Sequence, residues 1–220
     1  IERGNRAFPV SDHASDVIRA LERAMKEQDV RIRLYTQVRE LLIEDDKAAG
    51  VLLTDGGKIM ADSLILATGG LSYPTTGSTG DGHTMAKNSG HKIVTPRPAL
   101  VPLTTKEEYI LRMQGLSLKN VSLKIKDEKR VIYDAFGEML FTHFGVSGPL
   151  VLSASSVLSR HFPREYQAYI DLKPALSEEV LNERLLREFS ERPNQHIKAV
   201  FQQLLPAKMI PVMIELSQIS

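Results

Sequence analysis

Four residues that end an apolar run, Ala67-Thr68-Gly69-Gly70, have the composition of a backbone-lined ligand site. The run itself, Leu64 to Ala67, is short and apolar on both faces, which predicts a strand buried inside a sheet. Glycines after such a strand let a ligand approach bare backbone at the strand's carboxyl end, where α/β sheets bind ligands. A plain turn from strand to loop is the alternative, since so short a motif is weak alone.

A second glycine-rich loop, Gly77-Ser78-Thr79-Gly80-Asp81-Gly82, precedes a helix that is predicted to run from Asp81 or Gly82 to Asn88. N–H groups in a turn at a helix N-terminus form an anion site, to which the helix dipole adds. The loop lacks the Gly-Lys-Ser/Thr of a P-loop, and a solvated surface loop is the alternative. Because the two glycine loops are close in sequence, we expect them at one edge of the sheet, forming a cofactor crevice.

A third motif, Leu140-Phe141-Thr142-His143-Phe144-Gly145-Val146-Ser147-Gly148-Pro149, contains a histidine that could exchange a proton near neutral pH. A histidine that is simply hydrogen-bonded in a loop is the commoner alternative, and Thr142 and Ser147 are more often turn-formers. His143 and Thr142 are the catalytic candidates of the sequence, with no reaction step assigned to either.

The composition of the chain excludes several classes of functional site and of partner. Cysteine is absent, which excludes a disulfide scaffold, a thiolate nucleophile and Cys-ligated metal, and no histidine spacing indicates a metal site. The 220 residues carry 28 Lys+Arg and 27 Asp+Glu, so a net charge of +1 predicts no nucleic-acid partner. No apolar run reaches the roughly 20 residues that cross a bilayer. The absence of cysteine fits a reducing compartment, so we expect a cytoplasmic protein.

In the first half of the chain, the pattern changes from helical to alternating. A helix is predicted over 12–27, capped by Ser11 or Asp12, and a strand over Val30 to Leu34. Strands at about Val38 to Ile43, Val51 to Thr54 and Lys58 to Met60 then form an antiparallel meander, with Asp55-Gly56-Gly57 as a hairpin turn.

Pro96, Pro98 and Pro102 indicate a domain boundary. Beyond it, alternation predicts a strand over 117–125, one or two strands over 130–142, a strand over Tyr166 to Leu172 and a helix over about 150–160. The last fifty residues are helical: one helix is capped by Ser177 and ends at Pro193, and a final helix tolerates Pro211 only in its first turn.

The order of these motifs resembles the second half of an FAD-binding domain of the glutathione-reductase type. In detail, Arg6 to Ala14, the stretch GGLSYPTTGSTGDGHTMAKNSGH and LFTHFGVSGP resemble the BaiN-like and aminoacetone-oxidase-like bacterial flavoproteins along essentially the whole chain. The resemblance implies an α/β fold with a β-rich insertion. Residues 1–95 would be the middle of a Rossmann-like FAD domain with a β-meander, 96–172 an inserted β domain and 173–220 a helical segment.

The resemblance also implies the roles of individual residues. Val38 backbone would lie by the adenine, and Thr68, Gly69 and Gly70 on the adenosine–pyrophosphate side. Thr76, Gly77, Ser78, Thr79, Gly80, Asp81 and Gly82 would line the crevice toward the flavin. Phe141 to Pro149 would cover the active-site side. The expected cofactor is FAD, with NADH or NADPH as a candidate reductant.

Some family features do not appear in these 220 residues. The glycine fingerprint G-x-G-x-x-G, a cysteine-bearing Gly-rich segment and the stretch that closes over the flavin are missing, and the chain does not begin with Met. We therefore expect a central fragment whose partners are the missing segments of the same protein. The parent would be an FAD-dependent oxidoreductase, and the fragment alone inactive and a poor FAD binder. A non-catalytic module that binds no cofactor is the alternative.

Overall fold

The computed structural model describes residues 7–191 and 195–218. These residues divide into two compact units, with the boundary between Val94 and Thr95. The first unit combines one small sheet with two helices. Its elements are α1 (Ala14–Glu27), β1 (Val38–Glu44), β2 (Lys47–Leu53), β3 (Lys58–Met60) and α2 (Asp81–Asn88).

The structure confirms the predicted meander. It could be predicted because its turns and its alternation of apolar and polar residues are both local signals. The three strands pair antiparallel in the order β1-β2-β3, and Val51 lies opposite both Leu41 and Ile59. At the second turn, Gly56 adopts φ +89°, the left-handed backbone that glycine tolerates. The N–H of Gly57 donates to Asp55 Oδ1 at 2.9 Å.

The helix predicted over 12–27 is confirmed as α1, but its predicted cap is wrong. The N-cap position is His13, and no side chain caps the helix. Ser11 Oγ instead donates to the Asp16 carboxylate, which also pairs with Arg19 at 2.6 Å. These two interactions lower the pKa of Asp16, with the Ser11 hydrogen bond the larger cause. The first turn of α1 is therefore stabilised by an acidic side chain inside the helix.

Two predicted strands are wrong for this chain. In the described part of the first unit, residues 30–34 and 64–67 have no strand hydrogen bonding. The run that was expected to be buried is open to solvent, with Ile65 91% exposed. A strand needs a neighbour to pair its N–H and C=O groups, and neither segment has one among the described residues.

The apolar side of α1 is also open. Val17, Ile18 and Leu21 are each about half exposed, and α1 contains no buried residue. A helix with one apolar side normally packs it against a core. The first unit thus has two uncovered apolar features, the α1 side and the segment 64–67.

The second unit contains a five-stranded antiparallel sheet in the order β4-β7-β6-β5-β8. The predicted strands 117–125, 130–142 and 166–172 are confirmed as its three longest, and the helices over 150–160 and after Ser177 are confirmed too. The elements are β4 (Leu103–Thr104), β5 (Ser117–Asp127), β6 (Arg130–Phe141), β7 (Gly145–Ser147), α3 (Pro149–Leu158), β8 (Gln167–Asp171), α4 (Glu178–Ser190), α5 (Ile197–Leu204) and α6 (Ile210–Ser217).

The core of the second unit lies between the sheet and α3. Its strand residues alternate buried and open along β5, so that Leu123 and Ile125 point inward. Met139 and Phe141 come from β6, and α3 adds buried side chains including Val151. Alternation of this kind predicts one wet face and one packed face, as observed.

The C-terminal helix belongs to the same core. Met209 and Val212 are buried within the sheet's hydrophobic cluster. Arg112 pairs with Glu215 at 2.7 Å, and Lys208 Nζ donates to the Gln114 carbonyl at 2.7 Å. Residues of the predicted helical segment therefore complete the packing of the β-rich part.

The starts of α4 and α6 agree with the sequence prediction. Ser177 Oγ accepts from the Val180 N–H at 3.3 Å, as the pattern predicts, and Pro211 lies in the first turn of α6. The predicted end at Pro193 lies outside the described residues. In the described ranges 7–191 and 195–218, no helix has both the length and the apolar character of a membrane span.

Candidate functional site

The two glycine loops of the first unit touch each other. A Cβ atom on Gly82 would lie 2.1 Å from Thr68 Oγ1, and one on Gly69 would lie 2.9 Å from Ser78 Oγ. A Cβ on Gly80 would lie 2.6 Å from a methyl group of Leu71. Such distances are too short for real side chains, so glycine is what lets the loops approach. The two loops therefore lie together as expected, but the segment 64–67 before the first loop forms no strand in the described chain, and a cofactor crevice there stays a prediction.

Gly80 both caps α2 and turns the loop into it. Its backbone has φ +86°, a conformation that L-residues with a Cβ adopt at a cost, and it is buried. The N–H groups of His83 and Thr84 both donate to its carbonyl, at 3.0 and 3.2 Å. The Gly80 backbone therefore fixes where the first turn of α2 begins.

The outer part of the loop is a short 3-10 turn, Pro74–Thr76, that faces solvent. The Thr76 hydroxyl donates to the Tyr73 carbonyl at 2.8 Å, so it stabilises the turn itself. A Cβ on Gly77 or on Gly70 would meet nothing within 4 Å. Thr79 is also exposed. These predicted cofactor-binding residues present open backbone at the surface of the unit.

A pocket of about 210 Å³ lies between the start of β1 and the first turns of α2. It brings together two residues that the sequence singled out, Val38 and Asp81. The remaining predicted cofactor residues, from Thr68 to Gly80 and Gly82, do not line it. The complete lining is Gln37, Val38, Arg39, Thr54, Asp81, Thr84 and Met85.

Five of the lining residues were missed by the sequence analysis. The Thr54 N–H donates to the Gln37 carbonyl at 3.0 Å, which holds the residue before β1 against the residue after β2 beside the pocket. Thr84 follows Asp81 by one helical turn, so helical spacing was a usable signal for it. Nothing local indicated Gln37, because its neighbour across the pocket comes from a different element.

The charges around the pocket are mixed. Arg39 pairs with Glu40 at 2.9 Å, and both side chains are about half exposed. Within the described ranges, the Asp81 carboxylate accepts no hydrogen bond and has no ion pair. Close by, His83 Nδ1 is buried without a hydrogen-bond partner in the same described ranges. Asp81 is thus a lining residue whose carboxylate has no partner among the described residues, whereas His83 does not line the pocket.

The two catalytic candidates of the sequence lie in the second unit, in the tight turn between β6 and β7. The Thr142 N–H donates to the Gly145 carbonyl at 2.8 Å, and Thr142 Oγ1 accepts from the Phe144 N–H at 3.4 Å. His143 is exposed and contacts the Phe144 ring edge-to-face, with centroids 4.8 Å apart. Thr142 therefore shapes the turn, and His143 is displayed on it.

The meander and the two touching glycine loops form a unit with a pocket of about 210 Å³, and this unit is joined in sequence to a β-rich unit. Residues 1–158 match the HI0933-like protein Rossmann domain, and residues 97–220 match the HI0933-like protein barrel and H2TH domain. The chain therefore belongs to the HI0933-like family.

Three relatives illustrate the family. A 3-dehydro-bile acid delta(4,6)-reductase of Clostridium scindens is 28% identical over 219 residues, 99% of this chain and 53% of that protein. A ribosomal RNA dihydrouridine synthase of Haemophilus influenzae is 30% identical over 92% of this chain and 48% of its own length. One from Escherichia coli is 30% identical over 94% and 49%. The chain thus spans about half the length of these relatives.

Proposed function

We propose that the full-length protein containing these residues is an FAD-dependent reductase that adds hydrogen to a carbon–carbon double bond of a small organic substrate. The observation that carries the proposal is the contact between the loops at Thr68–Gly69 and Ser78–Gly82, beside a pocket of about 210 Å³. Glycine backbone at the ends of elements is where α/β folds receive dinucleotides.

The residues present fit part of an FAD molecule. Pockets that enclose a whole drug-sized ligand have volumes of about 300–1,000 Å³, so a pocket of about 210 Å³ suits one end of a dinucleotide. The open backbone at Gly70 and Gly77 leaves room for the remainder along the loops. When bound, FAD supplies hydride or electron transfer, and the protein supplies binding, orientation and shielding from water.

The reaction class follows from what the relatives share. A delta(4,6)-reductase and a dihydrouridine synthase, as named, each form a product with fewer double bonds than the substrate. The same change on two unlike substrates indicates that the chemistry is common and the substrate variable. For this protein we propose the common reaction, with NADH or NADPH as the reductant.

A small organic substrate is favoured over RNA by the charge of the chain. A net charge of +1 supplies little of the phosphate attraction that dominates RNA affinity. The dihydrouridine synthase names nevertheless make ribosomal RNA the second candidate substrate. Mass spectrometry of ribosomal RNA from a deletion strain separates the two, because loss of dihydrouridine on deletion would contradict the small-molecule proposal.

The partners we propose are the other segments of the same protein. The open apolar side of α1 and the unpaired segment 64–67 need a cover in water, since apolar area removed from water stabilises by about 25 cal/mol per Å². We propose that residues 1–220 alone bind FAD weakly for this reason. Titrating the 220-residue chain with FAD tests it, and tight stoichiometric quenching of flavin fluorescence would contradict it.

The main experiment is the visible spectrum of the purified full-length protein. We expect flavin absorption and about one FAD released per chain on denaturation. A colourless protein with no releasable flavin would refute the proposal and favour a non-catalytic module.

A pair of glycine variants makes the test specific to the loops. Gly69→Ala should lower the flavin content, because its Cβ would press on Ser78 at 2.9 Å and its φ is +76°. Gly56→Ala is the matched control: it has the same left-handed backbone, φ +89°, in a hairpin with nothing within 4 Å. Equal flavin content in both variants would contradict a role for the loop contact.

A further inference from the structure

The strand β8 is an open edge of the sheet in the second unit. It pairs with β5 along its whole length, Gln167–Asp171, in regular antiparallel register. Among the described residues, no strand pairs with its other side, and the edge strand at the opposite end of the sheet, β4, has only two residues. An unpaired strand edge presents a row of N–H and C=O groups to which another strand can add. Of the two edges of this sheet, β8 therefore offers the longer template for a further strand.

β8 lacks the features that usually block such an edge. Natural edge strands are protected by lysine or proline side chains, by bulges, by being very short or by a covering element. The strand sequence, QAYID, contains neither lysine nor proline, and four of its five residues are exposed. Tyr169, at its centre, is 48% exposed. The edge is thus accessible along its length.

The apolar face of the segment 165–173 continues to this open edge. Because side chains alternate along a strand, the apolar members of the segment share one face. They are Tyr166, Ala168, Ile170 and Leu172, and all but Ala168 pack against the hydrophobic core of the sheet. Ala168 lies opposite the buried Ile125, yet it is exposed. A partner strand that brings apolar side chains to this face would cover what β8 leaves open.

The polar face of the same segment carries charges in a self-complementary order. It begins with Glu165 and ends with Lys173, at equal distances in sequence from Tyr169. If a second copy of the chain pairs antiparallel with Tyr169 opposite Tyr169, Glu165 of each copy lies opposite Lys173 of the other. Gln167 of each copy likewise lies opposite Asp171. The Tyr169 hydroxyl donates to Gln167 Oε1 at 3.0 Å, which leaves the Gln167 amide N–H groups to donate to the carboxylate of Asp171 in the second copy.

The same register also matches the apolar face. It places Ala168 opposite Ile170 of the second copy, so that an apolar side chain meets an apolar one. A register centred on Ala168 would instead place Glu165 opposite Asp171, and two like charges directly opposite each other are unfavourable. The charges of the segment therefore select the register centred on Tyr169.

We propose that β8 pairs antiparallel with β8 of a second copy of this chain, which joins the two sheets into one continuous sheet across a two-fold axis. Each opposite-charge pair then occurs twice, as an isologous interface requires. Glu165 already pairs with Lys106 through Oε2 at 2.6 Å, but both side chains are at least three-quarters exposed, so this pair contributes little. The other carboxylate oxygen of Glu165 can accept from Lys173 of the second copy. The proposal is independent of FAD binding.

The first test is analytical ultracentrifugation of the full-length protein. One pair of strands is a small interface, so we expect a reversible dimer whose population rises as the protein is concentrated from about 1 to about 200 μM. A protein that stays monomeric at the upper concentration overturns the proposal.

Charge reversal tests the register. Glu165→Lys and Lys173→Glu each replace the two attractive pairs of the dimer by two like-charge pairs, so each variant alone should dimerise about tenfold more weakly. Mixing equal amounts of the two variants restores both attractions, because each strand then faces a strand of opposite charge. The mixture should therefore dimerise about as strongly as the unmodified protein. Lys129→Glu, the same change in the exposed turn between β5 and β6, is the matched control and should dimerise like the unmodified protein.

The mixing result distinguishes this interface from any other. If either reversal leaves dimerisation unchanged, or if the mixture dimerises no more strongly than the separate variants, β8 does not pair in this register and the proposal is overturned. The thermal midpoint of each variant shows whether it is folded.

Amide hydrogen exchange on the unmodified protein keeps the test independent of the variants. In the dimer, the outward N–H groups of residues 167–171 become hydrogen-bonded, so their exchange should slow as the protein is concentrated. A dimer in which the exchange of β8 does not change with concentration uses another surface, and this result overturns the inference.

Discussion

Replacing Gly82 by alanine probes the contact between the two glycine loops without straining the backbone. Gly82 is the second residue of α2, where alanine is ordinarily more favourable than glycine by about 1 kcal/mol. Here its Cβ would lie 2.1 Å from Thr68 Oγ1 and 3.4 Å from Thr68 Cβ. Bringing the oxygen to 3.4 Å requires a separation of the helix and the loop of up to about 1.3 Å, less whatever a rotation of the Thr68 side chain supplies.

The expected result is a net loss of stability and of FAD affinity. Overpacking costs about 1–3 kcal/mol, which offsets the helix gain and leaves up to about 2 kcal/mol of destabilisation. Because a displacement of about 1 Å is enough to spoil a preorganised site, we expect FAD to bind the full-length variant about tenfold more weakly. Fluorescence titration with FAD and the thermal midpoint measure the two effects.

Two further variants show whether the clash is the cause. Gly70→Ala adds the same methyl group in open space, with nothing within 4 Å, and should leave the midpoint unchanged. Thr68→Ala removes the clashing oxygen, so the Thr68→Ala/Gly82→Ala double variant should recover the midpoint of Thr68→Ala alone. If Gly82→Ala behaves like Gly70→Ala, or if the double variant stays destabilised, the reasoning from the contact is refuted.

Three other predictions concern strain, a buried hydroxyl and pH. Gly80→Ala should lower the thermal midpoint more than Gly77→Ala, because both have a left-handed backbone but only the first would also clash, with a methyl group at 2.6 Å. Ser155→Ala should cost about 1–3 kcal/mol in denaturant unfolding, since its fully buried hydroxyl accepts a backbone N–H at 2.9 Å, whereas Ser156→Ala should cost less than about 0.5 kcal/mol. Burial raises the pKa of the Tyr133 hydroxyl above its usual 10.0, so the contribution of Tyr133 to stability is present below pH 10 and is lost as the pH rises through the raised pKa. The Tyr133→Phe variant should therefore lose less stability at alkaline pH than the unmodified protein. An unchanged pH profile of stability in this variant would contradict the prediction.

The sequence was most informative where a signal is local. The meander follows from alternation and from Asp55-Gly56-Gly57, and the cap at Ser177 follows from residue type and position. The segments 30–34 and 64–67 have equally strong patterns but are not strands here. A hydropathy pattern indicates which face of a strand would be buried. Strand formation also needs a neighbouring strand for backbone hydrogen bonds, and the described residues supply none for these two segments.

The candidate site was predictable in part for the same reason. The meeting of Thr68 with Gly82 could be expected from two glycine loops that follow each other closely. The pocket could not, because Gln37 and Thr84 come from separate elements and only their packing makes them neighbours.

Burial of Met209 and Val212 among the strands has a consequence for synthesis on the ribosome. The last strand, β8, ends at Asp171, but α6 begins only at Ile210, so all five strands are translated well before the helix that closes their core. At a translation rate of about 5–20 residues per second, the apolar face of the nascent sheet stays exposed for several seconds before α6 is synthesised. Translation that stalls within this interval would leave a chain that chaperones or proteases recognise.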